Sequence, residues 1–302
     1  MADTGATVAW QGVMPAITTP FDEHGAVDHA FLRRHVEWQL EHGITGLVPL
    51  GSLGEGATLE PDEKAAILQT CVETVSGRIP VIPGIAAAST AGAVRLAQTA
   101  AELGCRGLMV LPPYLHAGPT AETTAHMHAV LEATALPCML YNNPIAYGTD
   151  FVPAQIAQLA DAHPRLAAVK ESSGDVRRMT AIRALLGDRL AVFVGLDDLI
   201  VEGRAAGATG WIAGLVNALP GESVRLFELA AAGGADAAAL YRWFLPLLRL
   251  DTVPEFVQLI KLVQQEVGMG SERVRAPRQP VAGPARDTAL ALIKSALAER
   301  PA

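Results

Sequence analysis

Lys170 is the residue of this chain whose type and position best suit covalent chemistry. It closes the apolar run at residues 166–169, whereas Lys64, Lys261 and Lys294 lie in stretches with helical periodicity, where we expect exposed surface lysines. Burial at the end of a strand disfavours the charged ammonium, and the free amine is a nucleophile toward carbonyl or imine carbons. Lys170 is therefore a candidate Schiff-base lysine. The alternative is a structural ion pair with Glu171 or a neighbouring carboxylate.

Tyr141 is the second candidate catalytic residue, because it ends the apolar run that precedes the Lys170 run. It is followed by Asn142, Asn143 and Pro144. If the two runs are adjacent parallel strands, the phenol lies beside the amine. Iminium formation needs a group that donates and removes protons, which a tyrosine within hydrogen-bonding distance can do. A packing role with a satisfied hydroxyl is the alternative.

A glycine-rich loop at residues 51–56 is a candidate anion site. Its glycines allow backbone N–H groups to converge, and Ser52 adds a hydroxyl donor next to Leu53. The loop lacks the Gly-Lys-Ser/Thr of a nucleotide-binding P-loop, so a small carboxylate is the expected ligand. Sharp turns use glycine for structural reasons as well.

Other polar clusters have weaker signals. Asp197 and Asp198 follow Gly195 at the end of another apolar run, where they either bind substrate hydroxyls or cap the next helix. His126 and His128 are two apart on a predicted helix and do not share a face, so we expect both on the surface. We expect no metal site, because the histidines do not form a metalloprotease motif.

Eight short apolar runs alternate with helical stretches. The runs span residues 12–18, 46–50, 81–86, 107–111, 138–141, 167–170, 191–195 and 210–213. Nearly continuous apolar runs are typical of parallel strands buried on both faces, and this repeat predicts an α/β protein, a (β/α)8 TIM barrel. A doubly wound open sheet is the alternative. Helices at about 235–250, 254–268 and 286–299 predict an appended C-terminal helical region, with the barrel over residues 1–230 and the appendage over 231–302.

Composition excludes several classes of protein. The net charge of −8 over 302 residues disfavours nucleic-acid or anionic-membrane binding, and we find no apolar segment of membrane-spanning length. We expect a cytoplasmic enzyme. Cys71, Cys105 and Cys138 are widely spaced among apolar neighbours, which predicts buried free thiols.

Four motifs together resemble the dihydrodipicolinate synthase/N-acetylneuraminate lyase family. They are GVMPAITTPF at residues 12–21, GSLGE at 51–55, YNNP at 141–144 and VKESS at 169–173. The resemblance implies (β/α)8 subunits assembled as a homotetramer or homodimer, without a cofactor. It also implies that Lys170 binds the 2-oxo carbon of a small-molecule substrate, that Tyr141 shuttles protons, and that Ser52 and the Leu53 backbone hold the substrate carboxylate.

The chain departs from the synthases of this family at several positions. They usually carry two threonines where this chain has Ser52 and Leu53. They also place an arginine just after the Tyr-Asn-x-Pro motif to bind aspartate semialdehyde, and residues 145–148 contain none. Tyr114 matches a tyrosine that reaches a neighbouring subunit's site in the synthases, although its flanking residues differ. Condensation with aspartate semialdehyde is therefore not expected.

A subgroup resemblance indicates a more specific activity. The motifs YNNP with Tyr147, KESSGDVRR at 170–178 and GLDD at 195–198 resemble deaminases of the hydroxyproline pathway. They imply conversion of 1-pyrroline-4-hydroxy-2-carboxylate, a cyclic imino acid, to 2,5-dioxopentanoate and ammonia. Asn143, Gly195, Asp197 and Asn217 are the further candidate substrate-binding residues. A pyruvate-type aldolase or dehydratase acting on a sugar-derived 2-oxo acid, and a non-catalytic binding barrel, are the alternatives.

Overall fold

The computed structural model describes residues 8–113, 116 and 118–301. Within them lie seven parallel strands and the helices that alternate with them. The strands are β1 Gly12–Pro15, β2 Gly84–Ile85, β3 Leu108–Val110, β4 Cys138–Asn142, β5 Leu166–Glu171, β6 Ala191–Val194 and β7 Gly210–Ala213. The helices are α1 His29–Glu41, α2 Pro61–Val75, α3 Thr90–Glu102, α4 Thr120–Glu132, α5 Pro144–Tyr147, α6 Pro153–Ala162, α7 Arg177–Leu186, α8 Ile200–Ala205, α9 Pro220–Ala232, α10 Ala235–Leu248, α11 Phe256–Glu266 and α12 Gly283–Ala298.

The sheet has the order β1-β7-β6-β5-β4-β3-β2, and an extended segment at residues 45–49 joins its two edge strands. Ala16 and Leu47 form isolated parallel bridges to Val48 and Val81 respectively. The Leu47 N–H donates to the Pro80 carbonyl at 2.9 Å, and Ile82 donates back to Leu47 at 2.8 Å. These bonds make the pairing continuous around a ring, as in a TIM barrel and unlike an open doubly wound sheet.

Seven of the eight predicted strands are confirmed as strands, and the second is not. The predicted run at residues 46–50 is extended but lacks a continuous ladder on either side. The chain leaves the extended conformation at Leu50, where φ is +64°. This residue turns the backbone into the glycine-rich loop, which leaves only isolated bridges to the neighbouring strands.

The predicted C-terminal helices agree with α10, α11 and α12 to within three residues at each end. Helix α10 packs against α9 and α12, and α11 packs against the short turn Leu215–Asn217 that follows β7. The C-terminal region therefore lies against the barrel close to the carboxyl end of a strand. The domain boundary after residue 230 stays a prediction.

Two sequence expectations about buried side chains have opposite outcomes. Cys71, Cys105 and Cys138 are buried free thiols, as predicted. Lys261 was expected on a helix surface and is instead 2% exposed. Its Nζ donates to Glu55 Oε1 at 2.6 Å and to the Arg273 carbonyl at 2.7 Å. A partner far away in sequence stabilises this buried charge, which helical periodicity alone does not reveal.

Among the helices described, none has the length and apolar character needed to cross a membrane.

Candidate active site

Tyr141 and Lys170 are directly opposite each other in the parallel register of β4 and β5. Paired positions project to the same face of a sheet, so both side chains enter the barrel near the carboxyl ends of their strands. The Lys170 Nζ lies 4.2 Å from the centre of the Tyr141 ring. Both residues line a cavity of about 700 Å³ that opens at this end of the barrel. The two candidate catalytic residues are therefore together in one cavity.

Burial is the main influence on the Lys170 amine. The residue is 5% exposed, and desolvation lowers the pKa of its ammonium to about 8, although nearby Asp251 and Asp197 favour the charged form. Glu171 does not serve as its ion-pair partner. The Glu171 carboxylate lies on the opposite face of β5 and accepts hydrogen bonds from Asn142 Nδ2 at 3.1 Å and the Ser173 N–H at 2.7 Å. Asp197 and Asp251 are the neighbouring carboxylates, and they favour the charged form without forming an ion pair with Lys170 in the described part of the chain.

The Tyr141 phenol belongs to a group of hydroxyls on the cavity wall. Burial raises the pKa of Tyr141, while hydrogen bonds from Asn143 and Ser52 act in the opposite direction. Asn143 Nδ2 donates to the phenol oxygen at 2.9 Å. The Ser52 hydroxyl in turn shares a short hydrogen bond with the hydroxyl of Tyr147, which is half-buried. Tyr141, Ser52 and Tyr147 thus place three hydroxyls on the cavity wall.

Gly195 leaves space for the reactive lysine. It lies just after β6, and its N–H donates to the Glu171 carbonyl at 3.0 Å. A Cβ at this position would overlap the Ser172 hydroxyl and approach Lys170 Cγ to 2.9 Å. The glycine is thus required by the close passage of the Lys170 side chain rather than by an unusual backbone angle.

Asp251 is a cavity residue that the sequence analysis missed. It lies in the turn Arg249–Asp251 between α10 and α11, and its Oδ1 is buried without a hydrogen-bond partner among the described residues. Burial and the nearby Asp197 raise the pKa of Asp251 well above its usual value. The Asp251 carboxylate lies so close to Gly214 that a Cβ on residue 214 would overlap it, so only glycine fits at that position. No sequence motif marks Asp251, since it comes from the appended region.

Asp197 and Asn217, two predicted substrate-binding residues, do not line the cavity. Both are fully buried. The Asp197 carboxylate accepts hydrogen bonds from Trp211 Nε1 at 3.0 Å and from the Leu215 N–H at 2.7 Å. Asn217 donates to the Ala16 carbonyl at 2.9 Å and accepts from the Thr18 N–H at 3.2 Å. These side chains fix the ends of strands, and their polar atoms are engaged within the protein.

Burial raises the pKa of Asp197 to about 6, even though several N–H donors favour its ionised form. The charge of the Asp197 carboxylate favours the Lys170 ammonium, although Asp197 does not line the cavity.

The predicted carboxylate-binding loop does reach the cavity through Gly51, Ser52 and Leu53. Its turn closes with the Glu55 N–H donating to the Ser52 carbonyl at 3.1 Å. A Cβ on Gly56 would overlap the Leu50 carbonyl, so at least this glycine serves packing. The buried ion pair between Glu55 and Lys261 holds this loop against α11.

Two further predictions concern Tyr114 and the segment that follows the YNNP motif. Tyr114 lies outside the described residues. Ile145 and Ala146 line the cavity wall, within the segment 145–148 that lacks the arginine expected of the synthases. Of the described residues that line the cavity, Lys170 and Arg278 are the basic ones. Arg278 lies on the wall 3.8 Å from Glu55 Oε2.

These features define a protein like a TIM barrel, with parallel strands and alternating helices and with a lysine and a tyrosine at the carboxyl ends of adjacent strands. The sequence profile of the dihydrodipicolinate synthetase family matches residues 9–296. The chain belongs to this family, whose enzymes are class I aldolase-type lyases.

Individual relatives agree over nearly their whole length. The 4-hydroxy-tetrahydrodipicolinate synthase of Pelobacter propionicus is 33% identical over 290 residues, covering 95% of this chain and 98% of the relative. The crystal structure of chloride-inhibited dihydrodipicolinate synthase from Acinetobacter baumannii, complexed with pyruvate, has a TM-score of 0.90 at 29% identity, covering 95% and 99% of the two chains. A monomeric dihydrodipicolinate synthase variant has a TM-score of 0.88 at 27% identity, covering 96% of each chain.

Proposed function

We propose that this protein is a lysine-dependent lyase that opens and deaminates 1-pyrroline-4-hydroxy-2-carboxylate. The observation that carries the proposal is the Lys170 amine, which burial holds at a pKa of about 8 beside the Tyr141 phenol in the cavity. An amine of this kind attacks the carbon of a C=N or C=O bond as soon as it loses its proton. The substrate carboxylate is assigned to Ser52 and the backbone at Leu53.

The absence of an arginine after the Tyr-Asn-Asn-Pro motif supports a substrate with one carboxylate. Ala146 and Ile145 give this part of the cavity wall an apolar character. A condensation that brings in a second carboxylate-bearing substrate needs a cation there, because an unpaired carboxylate is costly to desolvate. A single small cyclic imino acid avoids this cost.

In the proposed reaction, Lys170 attacks C2 of the ring, and the C2–N bond breaks to leave an iminium on the lysine and a free amine on C5. Tyr141 removes a proton from C3, which the iminium makes acidic. The resulting enamine expels the C4 hydroxyl, which leaves as water after taking a proton from Asp251. Tautomerisation then places an imine at C5. Hydrolysis at C5 and at C2 consumes two waters and releases ammonia, 2,5-dioxopentanoate and free Lys170.

Asp251 makes dehydration plausible at this site. Its carboxyl has a raised pKa and an unpartnered oxygen, and it lines the same cavity as Lys170. A carboxyl with a raised pKa keeps its proton to higher pH than an ordinary aspartate, so it can donate that proton to a leaving hydroxyl.

A pyruvate-type aldolase is the second candidate function. The names of the curated relatives favour it, since the Pelobacter relative is a 4-hydroxy-tetrahydrodipicolinate synthase. The same Lys170 iminium serves either reaction, so the chemistry after iminium formation separates the two candidates.

The decisive experiment traps the iminium and measures its products. Wild-type protein and Lys170→Arg are incubated with borohydride and either pyruvate or the hydroxypyrroline carboxylate. Intact-protein mass and ammonia are then measured. We expect a reduced adduct on wild type only, with ammonia released only from the hydroxypyrroline carboxylate.

Each other outcome has a definite meaning. An adduct with pyruvate, without ammonia from the hydroxypyrroline carboxylate, replaces the deaminase with the aldolase. No adduct with either compound rejects lysine catalysis and leaves a binding barrel.

We also propose that the chain assembles as a homodimer or homotetramer in the cytoplasm, because enzymes of this family are often oligomeric. Light scattering tests the assembly: a mass of two or four times 31.6 kDa supports it, and a mass of 31.6 kDa contradicts it.

A further inference from the structure

Three metal-ligating side chains meet between α4 and α6, away from the cavity. His128 and Glu132 are four residues apart in α4 and so share one face of the helix. His163 directly follows α6. His128 Nδ1 lies 2.5 Å from His163 Nε2, and one ligand atom from each of the three residues lies within 4.8 Å of the other two.

We propose that His128, Glu132 and His163 form a binding site for a divalent transition metal, with Zn²⁺ as the best fit. Two imidazole nitrogens and a carboxylate oxygen are a donor set that Zn²⁺ takes, with water in the fourth tetrahedral position. Zn–N bonds of about 2.0–2.1 Å place two ligand nitrogens roughly 3.3 Å apart. The two rings need to separate by less than about 1 Å to admit the ion.

Burial and exposure at this cluster suit a site that an ion can enter. His163 is 8% exposed, His128 is half-buried and Glu132 is exposed. The backbone carbonyl of His163 accepts hydrogen bonds from the Leu166 N–H at 2.9 Å and from Arg189 Nη2 at 3.2 Å. His163 is therefore anchored in the protein, and Glu132 lies on the solvent side of the cluster.

The surrounding helices favour a cation electrostatically. Helix α4 ends at Glu132 and α6 ends at Ala162, so both present their carboxyl ends to the cluster. The carboxyl end of a helix carries a partial negative charge, which stabilises a nearby cation.

The site lies at the opposite end of the barrel from the reactive lysine. His163 comes three residues before the first residue of β5, whereas Lys170 is near the last residue of that strand. Residues at the amino ends of barrel strands serve stability rather than catalysis. The bound ion would link α4 to α6, and its expected effect is on thermal stability with no change in turnover.

The experiment uses chelator-treated full-length protein and Zn²⁺. Native mass spectrometry counts bound ions, isothermal calorimetry gives the affinity, and thermal unfolding is followed with and without the ion. We expect one Zn²⁺ per chain and a higher Tm with Zn²⁺, because an ion that binds only the folded state stabilises it. Mg²⁺, which prefers oxygen ligands, should give neither effect.

Variants assign the ion to these residues. His128→Ala and His163→Ala should each weaken Zn²⁺ affinity at least tenfold and abolish the rise in Tm, whereas His24→Ala, at an exposed histidine in a loop, should retain both. The difference in Tm with and without Zn²⁺ is compared within each variant, so a lower Tm without metal does not confuse the result. Absence of stoichiometric Zn²⁺ in wild type, or equal affinity in wild type and His163→Ala, overturns the proposal.

Discussion

At the scale of single residues, the reactivity proposed for Lys170 depends on the groups that burial brings beside it. The amine lies over the Tyr141 ring and close to two carboxyl groups, Asp197 and Asp251. Only Asp251 lines the cavity, since hydrogen bonds from Trp211 and from backbone N–H groups hold Asp197 within the protein. The two acids therefore have different roles. Asp197 is a fixed charge, and Asp251 is available to a substrate.

Asp251→Asn separates iminium formation from dehydration. The amide keeps the shape of the carboxyl but donates no acid proton, so ammonia release from the hydroxypyrroline carboxylate should fall roughly 10²-fold or more. Borohydride trapping of the pyruvate adduct should persist. Asp198→Asn is the control, because Asp198 lines the same cavity but has its carboxylate 3.9 Å from Arg249. Undiminished ammonia release in Asp251→Asn would remove this residue from the mechanism.

At the scale of elements, the site depends on how closely strands and turns approach each other. Gly195 follows β6 and lets the Lys170 side chain pass, and Gly214 follows β7 and lets Asp251 approach. Both glycines lie at the carboxyl ends of strands, where backbone from one element borders a reactive side chain from another. A single methyl group at either position has no space.

Gly195→Ala tests this close approach. The added Cβ would overlap the Ser172 hydroxyl and press against Lys170 Cγ at 2.9 Å, so the rate of borohydride trapping should fall by at least tenfold while the protein remains folded. Gly221→Ala is a suitable control, because its Cβ would make only ordinary contact, 3.4 Å from His42 Cδ2. Circular dichroism confirms folding in both variants. A trapping rate equal to that of wild type would show that the lysine position does not depend on this glycine.

The Glu55–Lys261 pair connects the cavity loop to α11, and Lys261→Met tests its contribution. The Lys261 Nζ and Glu55 Oε1 are 2.6 Å apart with both side chains buried. Removing one partner of a buried pair leaves an uncompensated charge, which typically costs about 3–5 kcal/mol of unfolding free energy. We expect the lower part of this range, since the Arg275 N–H also donates to Glu55 at 3.0 Å.

Denaturant unfolding of Lys261→Met, Glu55→Gln and the double variant gives the coupling energy of the pair. Lys294→Met is the matched control, because Lys294 is an exposed lysine 4.0 Å from Glu266. Destabilisation equal to that of the control would show that the buried pair adds nothing to stability.

Local patterns in the sequence predict the strands, the C-terminal helices and the Lys170–Tyr141 pair, because apolar runs and their polar ends are local features. They do not predict Asp251 or the His128–His163 contact, since each depends on segments far apart in the chain. His126 shows the same limit: it was expected on the surface, but it is 5% exposed and its Nδ1 lies 3.0 Å from Thr90 Oγ1. The partners of His126 and His128 lie on other segments of the chain, which helical periodicity does not show.

At the scale of the whole molecule, the two ends of the barrel have different uses. The carboxyl ends of the strands carry Lys170, Tyr141 and the cavity, and the appended helices add Asp251 to the same end. The amino ends of β4 and β5 lie near the His128–Glu132–His163 cluster. The proposed active site and the proposed metal site therefore lie at opposite ends of the barrel. The C-terminal region takes part in the site, because the turn after α10 contributes a charge that acts on an amine in β5.

The pH dependence of iminium formation measures this long-range contribution. In wild type, the trapping rate with pyruvate should rise with pH through about 8, because the reactive form is the free amine and burial lowers the pKa of Lys170 to that value. Ionised Asp251 favours the ammonium, and its raised pKa confines this effect to the higher part of the pH range. Asp251→Asn should therefore move the rising limb to lower pH. Lys261→Met, which removes the other buried lysine with a lowered pKa, should leave the limb in place. If the limb moved in Lys261→Met and not in Asp251→Asn, the titrating lysine would be Lys261 rather than Lys170. The appended region would then have no influence on the pKa of Lys170.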